Sequence, residues 1–258
     1  MKRWVFISLA VLVMLSACTT SVATPFPEAE RVPSDPTATP PPSTAYRRLG
    51  IDASDGVTLV GAFYPPAQGV GPGVLLLHAL GGHKEDWATL ATQLQEAGYG
   101  VLALDARGHG ESGGTFDPQA DGDLLVDDVL RAWAVLAYQP EVDPERTAMV
   151  GASIGANLGL RAAALEPTVR AVALLSPGLD YSGVRTDDAI VDYGARPILI
   201  VASEEDTYAA ESALALAEAA QGQPVVTLYP SGGHGTELLG ARQDLPALIL
   251  GWLSSQVE

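Results

Sequence analysis

The chain alternates short apolar runs with longer stretches in which apolar residues recur at helical spacing. Residues 74–77 and 101–104 are continuous apolar runs, as expected of strands buried on both faces. The helical spacing is clearest at 86–97 and 123–138. Further strands are predicted at 47–53, 57–64, 146–150, 169–175, 197–201 and 225–229, and further helices at 154–165, 209–220 and 245–253. This order predicts an α/β fold, in which a mostly parallel, twisted sheet of about eight strands carries helices on both faces.

The first residues of the chain do not share this pattern. Lys2 and Arg3 precede an uncharged, mostly apolar run at 4–16, which is shorter than the ~20 residues that a membrane-spanning helix needs. A basic start followed by a short apolar run is typical of a secretory signal peptide. Residues 15–18 read Leu-Ser-Ala-Cys and resemble the lipobox of bacterial lipoproteins, which implies cleavage after residue 17 and lipidation of Cys18. The alternatives are an ordinary secretory signal with a chance cysteine and an uncleaved anchor.

A linker is predicted between this segment and the folded body. Residues 19–44 are rich in Thr, Ser, Pro and Ala, and such a chain stays extended because it cannot bury a core. We therefore expect a lipoprotein signal peptide at 1–17, a lipidated Cys18 with a linker at 18–44, and one globular domain at 45–258. The lipoprotein resemblance implies a bacterial cell-envelope location, with acyl chains such as palmitate holding the protein to a membrane on its extracytoplasmic side.

Charge and residue content exclude several classes of function. The chain has 14 Lys plus Arg against 31 Asp plus Glu, a net charge of −17, and an acidic body repels nucleic acid. A single cysteine excludes an internal disulfide framework and a Cys-based zinc site. His78, His83 and His109 lack the helical spacing of zinc ligands, so we expect no metal. No phosphate-binding or dinucleotide fingerprint follows a strand, so we expect no cofactor.

One short motif predicts a nucleophile. Residues 151–155 read Gly-Ala-Ser-Ile-Gly, and they lie directly between the strand predicted at 146–150 and the helix predicted from 154. A serine on such a sharp strand-to-helix turn is exposed to substrate, and the small residues around it let the chain turn and the substrate approach. Ser153 is therefore the candidate nucleophile. The alternative is a glycine-rich turn in an ordinary doubly wound fold.

A serine nucleophile needs a base, and His234 is the candidate. It lies in the glycine-rich stretch 231–235, after the strand predicted to end at 229, where a loop can carry an imidazole over the edge of the sheet. The acid that orients it is expected in residues 203–206, Ser-Glu-Glu-Asp, which follow the strand at 197–201. Residues 78–82 read His-Ala-Leu-Gly-Gly and could supply backbone N–H donors to an oxyanion, or could need glycine for turn geometry alone.

Together these motifs resemble the serine hydrolases of the α/β-hydrolase superfamily, most nearly its small esterase and serine aminopeptidase-like branch. The resemblance covers about residues 46–255 and includes residues 105–112, Asp-Ala-Arg-Gly-His-Gly-Glu-Ser. Ser153 distinguishes the chain from dehalogenase-like relatives, which have Asp there, and from dienelactone-like ones, which have Cys. The resemblance implies the α/β-hydrolase fold. Because about 20 residues separate Ser176 from Pro197, we expect no large cap domain and a site open to solvent.

The same resemblance implies roles for individual residues. It points to Asp206 as the triad acid, with Glu205, Glu204 and Asp180 as alternatives. It implies an oxyanion hole made by the N–H groups of Ile154 and Leu80, although residue 79 is Ala where the family usually has Gly. It gives His109 a structural role beside the site.

We therefore expect an extracytoplasmic, lipid-anchored serine hydrolase that cleaves carboxylic esters through Ser153, His234 and Asp206 and an acyl-enzyme. Its partner is expected to be a small-molecule ester or another short acyl substrate, and its contact with the membrane is expected to be through the lipid anchor only. A short-peptide or amide hydrolase of the same fold is one alternative. A non-catalytic binding lipoprotein is the other.

Overall fold

A computed structural model describes residues 46–257 of the chain. The expected signal peptide at 1–17, Cys18 and the linker to residue 44 lie outside the described residues and stay predictions. The strands are β1 Arg47–Asp52, β2 Thr58–Tyr64, β3 Gly71–Leu77, β4 Gly100–Asp105, β5 Val142–Ala152, β6 Val169–Leu175, β7 Asp180–Tyr181, β8 Val184–Arg185, β9 Ile198–Ser203 and β10 Val225–Tyr229. The α-helices are α1 Ala88–Glu96, α2 Pro118–Ala137, α3 Ile154–Leu165, α4 Asp187–Tyr193, α5 Thr207–Ala219, α6 Glu237–Ala241 and α7 Leu245–Val257, and a 3₁₀ turn, Lys84–Trp87, precedes α1.

Eight of the strands form one sheet, and this confirms the predicted fold. The strand order is β1-β2-β4-β3-β5-β6-β9-β10. β2 pairs antiparallel with β1 and with β4, and every other pairing in the sheet is parallel. The carboxyl ends of β3, β5, β6, β9 and β10 therefore meet at one edge of the sheet, where loops can bring distant side chains together.

The two faces of the sheet are covered by different helices. α2, α3, α4 and α5 bury their apolar sides in one core, with β-strand residues such as Leu75, Met149 and Ile200. α1, α6 and α7 bury theirs in the other, against residues such as Val74, Val150 and Val201. Neighbouring residues of one strand thus enter opposite cores, which explains the continuous apolar runs seen in the sequence.

The segment between β6 and β9 differs from the sequence prediction in detail. It holds the two-stranded hairpin β7–β8 and the short helix α4, neither of which was predicted. Both are too short, and too mixed in polarity, to show a period. Within residues 46–257 no large cap domain is inserted here, as predicted. In the same range, no helix is both long enough and apolar enough to cross a membrane.

The start of α2 also differs from its prediction. The helix begins at Pro118 rather than at residue 123, and the Asp117 carboxylate caps it by accepting a hydrogen bond from the Ala120 N–H at 3.1 Å. Proline fits the first helical turn because its missing N–H is not needed there. Asp121 has non-helical angles, so the helix is kinked shortly after its start.

Candidate active site

Ser153 occupies a strained turn between β5 and α3. Its φ of 54° and ψ of −126° are sparsely populated for a residue with a side chain and cost about 1–3 kcal/mol. Glycines make the turn possible, because a Cβ on Gly151 would overlap the backbone of Gly155 and one on Gly155 would overlap the carbonyl of His78. The motif at 151–155 therefore has the geometry that its sequence predicts.

Ser153, His234 and Asp206 form one hydrogen-bonded chain. The His234 Nε2 atom lies 2.7 Å from Ser153 Oγ, and His234 Nδ1 lies 2.5 Å from Asp206 Oδ2. A carboxylate can only accept, so Nδ1 carries the proton and Nε2 is free to accept the proton of the serine. The His234 side chain is 40% exposed, so substrate can reach it from solvent.

The other candidate acids lie elsewhere. Glu205 Oε1 accepts hydrogen bonds from the N–H groups of Gly232 and Gly233, each at 2.8 Å. These two bonds lower the pKa of the Glu205 carboxyl group. Asp180 accepts from the Gly183 N–H at 2.7 Å, inside the β7–β8 hairpin, and Glu204 is exposed. Of the four acids, only Asp206 contacts the His234 ring in the described residues.

The loop that carries His234 is held on several sides. The His234 N–H donates to Glu237 Oε2 at 2.9 Å, and the Gly235 N–H donates to Ser176 Oγ at 2.9 Å. Ser176 is fully buried and, with a φ of 49°, adopts a left-handed conformation at the end of β6. Together with Glu205, these residues fix the position of the imidazole. The sequence alone does not predict the roles of Glu205, Ser176 and Glu237, because each depends on a tertiary contact that has no sequence pattern.

The two candidate oxyanion donors lie on opposite sides of Ser153 in the chain. Ile154 opens α3, and the N–H groups of a helix's first turn have no partner within the helix. Leu80 lies in the turn 78–82, which is closed by a 3.0 Å hydrogen bond from the Gly82 N–H to the Ala79 carbonyl. Leu80 and Ile154 line the same cavity, so the structure brings the two residues together.

Two imidazoles hold the turn 78–82. His78 Nε2 accepts a hydrogen bond from the Ala106 N–H at 2.9 Å, so its proton is on Nδ1, which donates to the Ala79 carbonyl at 2.7 Å. His109 Nε2 likewise accepts from the Gly81 N–H at 3.2 Å, while its Nδ1 donates to the Arg107 carbonyl at 3.0 Å. Burial lowers the pKa of His78, so this ring stays neutral and keeps its acceptor. His109 thus supports the turn, in agreement with the structural role that the resemblance implies.

A buried ion pair supports the neighbouring loop at 105–112. Asp105 accepts hydrogen bonds from Lys84 Nζ at 2.6 Å, from the Lys84 N–H at 2.7 Å and from the Glu111 N–H at 2.9 Å. Burial disfavours the charge on Asp105, but these bonds outweigh burial and lower its pKa. The pair links the 3₁₀ turn before α1 to the end of β4, and it therefore fixes the start of the loop that carries His109.

A small apolar cavity opens beside the turn 78–82. Its volume of about 20 Å³ gives room for one group the size of a water molecule or a methyl. Apolar side chains form most of its wall: Leu77, Leu80, Leu104, Phe116, Leu125, Val129, Ile154 and Leu158.

In the described residues, no group of three or more His, Cys, Asp or Glu side chains is placed to hold a metal ion.

Comparison with known proteins agrees with this architecture. A family model of serine aminopeptidases (S33) matches residues 71–190. An uncharacterised protein of Mycobacterium tuberculosis is 30% identical over 243 aligned positions, and the alignment covers 86% of this chain and 83% of that protein. An esterase from Pyrococcus furiosus superimposes with a TM-score of 0.71 at 18% identity, covering 84% of this chain and 92% of that one. Est1E of Butyrivibrio proteoclasticus, solved with ferulic acid bound, gives a TM-score of 0.71 at 20% identity, covering 81% and 99%. The chain therefore belongs to one family with the uncharacterised mycobacterial protein and has the α/β-hydrolase fold, and its residues 71–190 are similar to serine aminopeptidases (S33).

Proposed function

We propose that this protein is a serine hydrolase that cleaves carboxylic esters with Ser153 as nucleophile, His234 as general base and acid, and Asp206 as the orienting acid. The observation that carries the proposal is the continuous hydrogen-bonded chain from Ser153 Oγ through His234 to Asp206. A binding protein has no need for a strained serine on a proton-accepting imidazole. The strain and the three-residue chain therefore favour catalysis over binding alone.

Each residue has a defined part in the reaction. Ser153 Oγ attacks the carbonyl carbon while its proton passes to His234 Nε2, and Asp206 stabilises the imidazolium that results. The N–H groups of Ile154 and Leu80 stabilise the oxyanion. The imidazolium then gives its proton to the departing alcohol, which leaves the acyl group on Ser153. Water gives a proton to His234 as it attacks the acyl-enzyme, the bond between the acyl carbon and Ser153 Oγ breaks, and Oγ takes the proton back from His234 as the carboxylic acid leaves.

Short acyl esters are the proposed substrates. Leu80 and Ile154, the proposed oxyanion donors, are part of the wall of the small cavity, so an acyl group bound at the oxyanion hole has this cavity beside it. About 20 Å³ accommodates an acetyl methyl but not a long chain. Fold neighbours that are esterases support an ester over an amide substrate. An ester also needs less leaving-group activation than an amide does.

The test compares ester hydrolysis by the full-length protein and by Ser153→Ala. We expect the parent to hydrolyse p-nitrophenyl acetate faster than the octanoate ester. The variant should lose about 10⁴-fold or more of kcat, because the covalent route is removed. Equal, near-background rates in both proteins would contradict an esterase activity. Turnover of short peptide amides by the parent, in place of esters, would favour the amide hydrolase.

We also propose that the mature chain is a lipoprotein of the cell envelope, anchored through Cys18. The support is the sequence alone, in which the chain's one cysteine follows Leu-Ser-Ala after a short apolar run. Labelled palmitate fed to bacteria that produce the protein should enter the parent and not Cys18→Ala. An unlabelled parent, or label that persists in Cys18→Ala, would contradict the anchor.

A further inference from the structure

Tyr181 lies against the candidate nucleophile and its base, although no part of the proposed mechanism uses it. Its hydroxyl donates to the Ser176 carbonyl at 3.2 Å and lies near the Ser153 hydroxyl. Its ring meets the His234 ring edge-on, with 6.0 Å between the ring centroids. The phenol group therefore lies beside the reacting oxygen of Ser153, and its ring packs against the residue that moves the proton.

The backbone around Tyr181 is fixed by its neighbours. Tyr208 packs edge-on against the Tyr181 ring, with 5.6 Å between centroids, and its hydroxyl bonds both the N–H and the carbonyl of Asp180 at 2.9 Å. Gly178 leaves room for the ring, because a Cβ there would lie 2.7 Å from a Tyr181 ring carbon. The hairpin β7–β8 thus presents the phenol in one place, as an effective hydrogen-bond donor requires.

The phenol is held in its protonated form. Burial, together with the negative charge of Asp206, raises the pKa of Tyr181 well above its usual range. At neutral pH the group is therefore a donor and not a base. Its bond to the Ser176 carbonyl is long for an O–H donor, for which about 2.7–2.8 Å is usual, so the proton is weakly engaged there.

We propose that Tyr181 is a further catalytic residue, whose hydroxyl donates a hydrogen bond to Ser153 Oγ whenever negative charge develops on that atom. In acylation, the charge appears as the Oγ proton moves to His234 Nε2 and Oγ bonds to the acyl carbon. In deacylation, the bond between Oγ and the acyl carbon breaks and its electron pair returns to Oγ, which takes the proton back from His234. Tyr181 keeps its own proton throughout, and only its hydrogen-bond partner changes, from the Ser176 carbonyl to Oγ. The inference rests on the proposed function, since it needs Ser153 to be the nucleophile.

The test compares the parent, Tyr181→Phe and a matched control, Tyr208→Phe, in the full-length protein. Tyr181→Phe keeps the ring that packs on His234 and removes only the hydroxyl. Tyr208→Phe removes a hydroxyl that holds the same hairpin but touches no reacting atom. The readouts are the rate of labelling by a fluorophosphonate, the burst and steady phases of p-nitrophenyl acetate hydrolysis, and KM. Thermal unfolding of each variant monitors the fold.

We expect Tyr181→Phe to slow labelling, acylation and deacylation by about tenfold each, as the loss of one hydrogen bond to a developing charge predicts. Because both steps slow together, kcat falls while KM is unchanged, and Tyr208→Phe, which loosens the hairpin but keeps the Tyr181 hydroxyl, loses clearly less activity than Tyr181→Phe. Parental rates in Tyr181→Phe, an equal loss in both variants, or an effect on KM alone would overturn the proposal. If the parent is not labelled by the fluorophosphonate and does not hydrolyse the ester, the proposed function is wrong, and the proposal for Tyr181 is wrong as well. An active parent with an equally active Tyr181→Phe overturns this inference alone.

Discussion

The two loops beside Ser153 are held in place by chemically different side chains: imidazoles hold one loop, and carboxylates hold the other. Two imidazoles, those of His78 and His109, accept the backbone hydrogen bonds that fix the turn 78–82. Carboxylates, Glu205 and Glu237, accept those that fix the loop around His234. In the proposed reaction, negative charge develops beside the first loop and an imidazolium forms on the second. Each loop is thus built from groups that suit the charge it faces, since anions stabilise a cation and would repel an oxyanion.

Replacing Glu205 should lower the ester hydrolysis activity more than a change to the other loop does. In Glu205→Ala the Gly232 and Gly233 N–H groups lose their shared acceptor, so the loop shifts and His234 moves away from Ser153. A displacement of about 1 Å is enough to lower kcat/KM about 10²-fold. Ester kinetics measure the loss, and Glu204→Ala, a change at an exposed neighbouring acid, is the control. An equally active Glu205→Ala would show that the loop keeps its place without the carboxylate.

Removing His109 should have a smaller effect on the other side of the site. His109→Ala takes away the acceptor of the Gly81 N–H and leaves the bond from His78 in place, so the turn that carries Leu80 is loosened but not released. We expect kcat to fall about tenfold with little change in KM, because the oxyanion forms only during the reaction. His83→Ala, which changes an exposed histidine paired with Asp86 at 2.8 Å, is the matched control. An effect on KM alone would instead place His109 in ground-state binding.

A mutation in the cavity wall should change the preference for acyl chain length, and this effect should be smaller than the two losses of activity above. Leu158 lines the cavity beside the turn 78–82, and Leu158→Ala would enlarge it. The ratio of kcat/KM for butyrate to that for acetate should rise several-fold, since one methylene in an apolar pocket is worth about 1–3 kcal/mol at most. Leu165→Ala, an exposed leucine on the same helix, is the control. An unchanged ratio would place the acyl group elsewhere.

The smallest effect concerns the pH dependence of stability. The pKa of His78 in the folded protein is lowered from its ordinary 6.5, so its contribution to stability is complete above pH 6.5 and declines as the pH falls through the folded value. The pKa of Glu205 in the folded protein is lowered from its ordinary 4.5. The contribution of this carboxylate to folding stability is therefore lost only below pH 4.5. The free energy of unfolding, measured with denaturant, should therefore decline less between pH 6.5 and pH 5 in His78→Asn than in the parent. An equal decline in the free energy of unfolding in both proteins would show that His78 does not cause this pH dependence.

The sequence predicts the fold more fully than it predicts the site. Buried strands show as continuous apolar runs, because each parallel strand fills two cores, and the turn at Ser153 shows because only glycine fits at 151 and 155. The hairpin β7–β8 and the short helix α4 give no periodic signal. Ser176 and Tyr181 reach the site only through that segment, and Glu205 looks like any exposed acid until the loop around His234 folds over it.

The proposed reaction requires Ser153 to form a covalent intermediate with the help of His234. Its most direct test is to treat the full-length protein with a fluorophosphonate and to map the modified residue by mass spectrometry, with Ser153→Ala and His234→Ala treated in parallel. We expect one adduct, on Ser153, which is absent from Ser153→Ala and forms at least about 10³-fold more slowly in His234→Ala. No adduct on the folded parent, or an adduct on a different serine, would contradict it.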